Sequence, residues 1–236
     1  TSDLFGVNEA RYHCANRPPL HERQSAQVSA PPRATETRRP LPDYPGPVMF
    51  SHDTEPALQA IVDLVNTDPE FSDSEGLADV AALEAFVGAH QISNSQALTG
   101  RDVTAVRLVR TGFSRFFGLD DPRAAAALAN DLLAQARVCP RLTNHDGYDW
   151  HMHYFSPDAS LAEHLAVDGG MALAHIIAAD EIDRLRLCEA PDCHAALLDL
   201  SRNHSKRYCD ASTCGNRLHV AAYRERKRSE LLAQRS

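Results

Sequence analysis

Apolar positions recur along this chain in two different periods, and the change of period marks off its parts. Between about 54 and 66, Leu58, Ile61, Val62 and Val65 follow the spacing of one buried helix face. Asp53 or Thr54 supplies a cap, and Pro56 suits the first turn. A second helix is predicted over about 77–90 from Val80, Leu83, Phe86 and Val87. A third follows Thr99, with Val106, Val109, Phe113 and Phe117 inward and Gly118 as its terminator. Asp121-Pro122, a cap and a first-turn proline, opens a fourth, in which the alanine run 124–127 and Leu128, Leu132 and Leu133 favour helix strongly.

Near residue 138 the period shortens. Segments 138–143 and 148–155 flank His145-Asp146-Gly147, and Asp-Gly is a hairpin turn signal. His151 and His153 then share one strand face, with Trp150, Met152 and Tyr154 on the other. Ser156-Pro157 is expected to open a long helix reaching about 180, striped by Leu161, Leu165, Leu173 and Ile176 or Ile177. Gly169-Gly170 inside it predicts a close helix crossing or a kink. The fold class is therefore mainly α: an orthogonal helical bundle with one small β-hairpin, followed by a small module. Residues 1–47 stand outside this pattern. They hold eight of the fourteen prolines and no sustained apolar period, so this Pro-rich segment is expected to be disordered. The expected division is 1–47, then a helical domain over 48–183, then the module over 184–236.

That module carries four of the six cysteines. Cys188 and Cys193 form one pair, Cys209 and Cys214 another, each with a four-residue gap and fifteen residues between the pairs. Structural zinc sites are built from ligand pairs two to four residues apart, because a tight turn lets both side chains reach one tetrahedral ion. Four thiolates leave no open coordination position, which predicts one structural Zn2+ rather than a catalytic ion. Gly215 ends the second pair, and 216–232 contains no proline or further glycine. A helix start at that point favours thiolates, since its N-terminus carries partial positive charge. The apolar stretch 195–200 is expected to pair with Arg207-Tyr208. Knuckle, short hairpin and helix make a treble-clef-like finger. Two disulfides are the alternative. Without a charged start leading into an apolar core, the expected compartment is the cytoplasm, where paired cysteines more often bind metal. Cys14 and Cys139 have no partner spacing. No apolar run reaches the roughly 18 residues of a membrane helix.

Charge sharpens the picture. The chain carries a net −8, yet residues 184–236 hold eleven Lys/Arg and six Asp/Glu, a local excess of five positive charges over an acidic remainder. Contact with a polyanion is thereby confined to the C-terminal module. On its predicted helix Arg217, Ala221, Arg224 and Arg228 share a face, which Arg226 and Lys227 widen; Leu218, Ala222, Leu231 and Leu232 lie opposite. Asn216 stands at the helix start. The loop before it adds Arg202, Lys206 and Arg207, donors of the kind that hold phosphates. An arginine-striped helix on a stapled turn is the footprint of a nucleic-acid binder. Six to eight phosphate contacts would give a slope of log affinity against log salt of roughly −5 to −7.

At these residues the chain resembles a known family. Cys214-Gly215-Asn216-Arg217, preceded by Asp199-x-Ser201-Arg202-Asn203 and followed by a basic helix, resembles the CGNR zinc finger. In bacteria that finger closes proteins whose helical N-terminal domain is called ABATE. Asp63-Leu64-Val65-Asn66-Thr67 and Arg184-Leu185-Arg186 are similar to that domain, and the likeness spans about 48–228. The resemblance implies a stress-responsive transcription regulator whose finger binds DNA, with zinc on Cys188, Cys193, Cys209 and Cys214, and with ligand sensing by the helical domain.

Other candidates are fewer. Asn66 and Thr67 end an apolar helix, either as a C-terminal cap or as the lining of a pocket for a small-molecule effector. His151 and His153 are further pocket candidates. His-x-His on one strand face is a chelating pattern, but no carboxylate or third histidine at a suitable spacing completes it, so these are read as solvent-facing or locally hydrogen-bonded. His164 and His175 are read as core-edge residues. The chain has no phosphate-cradling glycine loop, no Gly-x-Ser-x-Gly and no His-Glu-x-x-His, so no enzyme is expected. Two other readings use the same residues differently. One is an RNA- or protein-binding adaptor built on the finger; the other is a hydrolase with a structural zinc, which would need scattered groups such as Asp149, His151 and His153. A single small DNA-binding module buries only about 600–1,000 Å², so a homodimer through the helical domain is the expected assembly.

Overall fold

The computed structural model describes residues 54–93, 96–143, 151–209 and 211–233. The Pro-rich segment 1–47 and the predicted turn His145-Asp146-Gly147 with Trp150 lie outside them. Five helices build the bundle: α1 (Thr54–Val65), α2 (Val80–Ala89), α3 (Gly100–Ser114), α4 (Pro122–Ala134) and α5 (Leu161–Ala178). Their starts follow local chemistry. The Asp79 carboxylate accepts from the Ala82 N–H, and Asp121 accepts from Arg123 ahead of Pro122. Thr99 with Asp102, and Ser160 with Glu163, form reciprocal capping boxes that satisfy orphan N–H groups. The Ser160 box sets the start of α5 four residues beyond the predicted Pro157. Ser156-Pro157 instead forms a preceding turn, closed by the Ala159 N–H on the Ser156 carbonyl at 2.9 Å.

Helix α5 is the centre of the bundle and packs on α1, α3 and α4. Gly169-Gly170 makes this approach close. A Cβ at Gly169 would stand 2.4 Å from Cζ of Phe113 on α3, and one at Gly170 would stand 2.7 Å from Cδ2 of Leu133 on α4. Of the two readings of the glycine pair, the crossing is the one found; the helix runs through it unbroken. Around it Leu58, Leu64, Leu83, Val106, Phe113, Phe116, Leu173 and Ile176 are fully buried.

Two antiparallel strand pairs occur among the described residues. β1 (Arg141–Thr143) and β2 (His151–His153) form the expected hairpin, with Leu142 opposite Met152. β3 (Leu185–Leu187) and β4 (Ala196–Leu198) form the second, with Leu185 opposite Leu198. Here the expectation that 195–200 pairs with Arg207-Tyr208 is corrected. The partner of β4 is β3, and the Arg207 carbonyl accepts instead from the Glu189 N–H at 2.9 Å. The physical reason is burial. Leu185, Ala196 and Leu198 join the core of the bundle, whereas Leu197 joins a second small core with Cys188, Ala190 and Cys214. Successive side chains of a strand point to opposite faces, so β4 serves both cores at once. After Cys209 a wide π-turn (Ala211–Gly215) leads into α6 (Asn216–Ala233).

Candidate metal centre

Two turns bring the four cysteines of the finger together. In the first, the Cys193 N–H donates to the Ala190 carbonyl at 3.1 Å while Cys188 N–H donates to Ala195 at 2.8 Å. The second is the π-turn that carries Cys214. One sulfur from each of Cys188, Cys193, Cys209 and Cys214 lies within 4.8 Å of the others, and Cys193–Cys209 and Cys209–Cys214 are 3.7 and 3.8 Å apart. A tetrahedral ion with metal–sulfur bonds near 2.3 Å needs sulfurs about 3.8 Å apart, so the donor set fits such an ion. The described cysteines form no disulfide. Burial pushes the Cys188 thiol up, but N–H donors from Ala190 and Cys209 outweigh it and hold this thiol below its ordinary value. Burial pushes Cys209 and Cys214 up. Sulfurs so crowded and shielded become thiolates together only around a cation.

Charged side chains hold the loops. Arg217 donates to Asp192 at 2.6 Å and lies 3.8 Å from the Cys214 sulfur, so it clamps the second knuckle to the first. Arg184 is buried and donates to Glu181 at 2.7 Å, the Asp199 carbonyl at 2.8 Å and the Ser201 carbonyl at 3.0 Å. Asp199 is fully buried and accepts the N–H groups of Ser201 and Lys206, both at 2.9 Å. Burial pushes the Asp199 carboxyl up, but these hydrogen bonds and the Arg186 charge hold it below the usual carboxylate range. This network is the physical content of the Asp199-x-Ser201 pattern: an aspartate whose oxygens close a turn.

Asn66 has a role that neither sequence reading contained. Its Nδ2 donates to the Ala196 carbonyl at 2.9 Å and its Oδ1 accepts the Ala196 N–H at 2.8 Å. The side-chain amide acts as a third strand beside β4 and ties α1 to the finger. Thr67 closes the end of α1, its hydroxyl donating to the Leu64 carbonyl at 2.6 Å, and it also meets Arg110, whose guanidinium donates to its carbonyl at 3.1 Å and its hydroxyl at 3.0 Å. Arg110 is buried on α3 and forms paired bonds to Glu75 at 2.7 and 2.8 Å, with Asp68 at 2.9 Å. These bonds hold the Glu75 carboxyl down at about 2. Sequence reasoning missed Arg110, although a signal was there: it continues the inward stripe of Val103, Val106 and Phe113, a charge where an apolar residue is expected.

The pocket candidates therefore divide. Asn66 and Thr67 have the separate partners just described. His151 pairs with Thr143 in the hairpin register, and its side chain lies outside the described residues. His153 is buried rather than solvent-facing, beside His164 and Asp168 of α5.

The basic residues divide as well. Lys206 donates its ammonium to the Leu198 carbonyl at 3.0 Å. Arg207 pairs with Glu189 at 2.6 Å, which holds its guanidinium pKa up. Arg217 is the clamp. In contrast Arg202, Arg224, Arg226 and Arg228 are exposed, and their side chains make no hydrogen bond or ion pair with the described residues; Lys227 lies over the Tyr223 ring at 5.8 Å. Asn216 begins α6 and is exposed. Leu218 packs on the finger core, and every residue from 219 to 230 is exposed.

A family model for ABATE, described as "Putative stress-induced transcription regulator", matches residues 58–186, more than half of the chain. The chain belongs to the ABATE family. The CGNR zinc finger model matches residues 184–227, so the two matches meet in β3. No curated protein matches. ABATE and CGNR are regulator and zinc-finger families, consistent with a four-cysteine centre on a helical domain. Among the described residues, no helix is long and apolar enough to cross a membrane.

Proposed function

We propose that this ABATE-family chain is a cytoplasmic, non-enzymatic transcription regulator whose CGNR finger binds DNA. The observation that carries the reading is α6: an exposed helix, anchored to the finger at Leu218, that presents Arg224, Arg226, Lys227 and Arg228 to solvent. Cys188, Cys193, Cys209 and Cys214 hold one Zn2+ ion, which cross-links the two knuckles and fixes the start of this helix. Arg217 then acts inside the finger more than on DNA, and Lys206 and Arg207 shape the loop beside it. Arg202 and the four cations of α6 remain for phosphates. Five such contacts give a slope of log affinity against log salt of about −4.5. The ABATE domain senses a signal or dimerises, and Asn66 and the shared strand β4 are the contacts through which either event reaches the finger.

The test is charge reversal. In the full chain, Arg224→Glu with Arg228→Glu is expected to weaken binding to duplex DNA by about 100-fold or more at moderate salt, with an unchanged circular dichroism spectrum. Unchanged binding would overturn the assignment of α6. Competition with RNA gives the second arm: displacement of DNA by equal amounts of unrelated RNA would replace the regulator reading with the adaptor one.

A further inference from the structure

The ABATE domain contains a second group of metal-ligand type that the finger does not use. His153 comes from β2, and His164 and Asp168 come from successive turns of α5. One ligand atom from each lies within 4.8 Å of the others. Both histidines are buried, at 9% exposure. Nε2 of His164 is 3.1 Å from one Asp168 oxygen. The other Asp168 oxygen is shut off from solvent and accepts no hydrogen bond from the described residues. A shielded carboxylate oxygen without a donor is costly, and the His164–Asp168 bond alone leaves it so. Phe155 orders both rings: it stacks on His164 with centroids 3.6 Å apart and meets His153 edge-on at 4.8 Å. Rings held by packing are what a preorganised coordination site requires.

From this geometry we infer that His153, His164 and Asp168 form a site for one divalent transition metal ion. Two imidazoles and one carboxylate make a donor set for zinc-like ions, and unsuited to magnesium or calcium, which take oxygen ligands. Metal–nitrogen bonds near 2.0–2.1 Å place tetrahedral ligand atoms about 3.3 Å apart. The His164–Asp168 pair, at 3.1 Å, is already at about that spacing, and His153 lies within 4.8 Å of both. Three protein ligands leave a coordination position for water or an exogenous donor, in contrast to the closed four-cysteine centre. The ion would join the hairpin to α5, the central helix of the bundle. The inference does not depend on whether the finger binds DNA. Its sequence signal was present in two pieces, His-x-His on the strand and His164-x-x-x-Asp168 on the helix, which only the fold brings together.

Cobalt separates the two centres. The metal-stripped full chain is titrated with Co2+ alone, bound metal is counted by equilibrium dialysis, and thiolate-to-cobalt charge-transfer absorption reports the cysteine centre. The expected result is two bound equivalents, only one of which adds charge-transfer absorption. Asp168→Asn and His153→Gln should each lose the equivalent without thiolate absorption and keep the other. A wild-type chain whose bound cobalt is all thiolate-ligated would overturn the proposal, and this measurement needs no variant to fold. So would an Asp168→Asn chain that folds and still binds both equivalents. Displacement of the second equivalent by Mg2+ would overturn the assigned metal class. Absence of the thiolate band would fault the finger centre and leave the second count readable by itself.

Discussion

The bundle and the finger meet at one strand, yet they are held together by different physics. In the bundle, α5 gathers the fully buried Leu58, Val106, Phe113, Phe116, Leu173 and Ile176 around a glycine crossing. The finger's own core is Cys188, Ala190, Leu197 and Cys214, with a few partly buried neighbours. So small an apolar cluster cannot offset the entropy of ordering forty residues. The finger relies on the metal-ligand set, on buried hydrogen bonds from Arg184 and to Asp199, and on the Arg217–Asp192 clamp. Strand β4 shows where one regime gives way to the other, since Ala196 and Leu198 belong to the bundle and Leu197 to the finger.

The largest expected effect breaks this comparison at the metal. Structural zinc contributes about 10–16 kcal/mol in isolated fingers. Chelation of the full chain should therefore abolish amide protection around both knuckles and the start of α6, while α1 to α5 keep theirs. Hydrogen exchange read by mass spectrometry checks it. Strand β3 and strand β4 are the sharp point: Leu185 and Leu198 sit in the bundle core, so their segment should stay protected. Loss of protection across α1 to α5 would show one cooperative unit instead.

A smaller effect tests the bundle's own electrostatics. Glu75→Gln leaves buried Arg110 with a weakened partner and should cost about 2 kcal/mol at neutral pH, reduced from the fully buried case because Glu75 is 27% exposed. The folded-state pKa of Glu75 lies below its ordinary value, at about 2 against 4.5. Its stabilisation is thus fully present above about pH 4.5 and is lost as the pH falls towards 2. Urea unfolding of wild type and variant should converge over that window. A difference that stays constant down to pH 2 would count against the pairing.

Smallest is the joint. Asn66→Ala removes both hydrogen bonds to Ala196 and should cost about 1–2 kcal/mol. Exchange should quicken in β4 and at the knuckles, with α2 to α4 unchanged. If it quickens evenly through the bundle, Asn66 is a general stabiliser and not a link between the two regions.

Much of this architecture was legible in the residues. The five helices follow from apolar spacing and from caps such as Asp121-Pro122, both of which are local. Cysteine spacing likewise pointed to the four-sulfur cluster, because each pair needs only its own turn. What escaped was non-local. Nothing near 195–200 says that its partner lies upstream at Leu185–Leu187. Nothing near Asn66 names Ala196, and the charge of Arg110 within an apolar stripe pointed inward without naming Glu75.

The basic residues show the same limit from the other side. Composition alone placed the positive charge in the C-terminal module and the negative charge in the rest. It could not separate Arg217, committed to Asp192 and Cys214, from Arg224 and Arg228, exposed on α6. By itself the sequence determined the helices, the cysteine cluster and the charge division, since each depends on neighbours within a few turns of chain. The tertiary structure decided which strand serves both cores, which cations face solvent and that His153 of the hairpin joins His164 and Asp168. Those outcomes depend on residues far apart in sequence, which meet only when the bundle core closes.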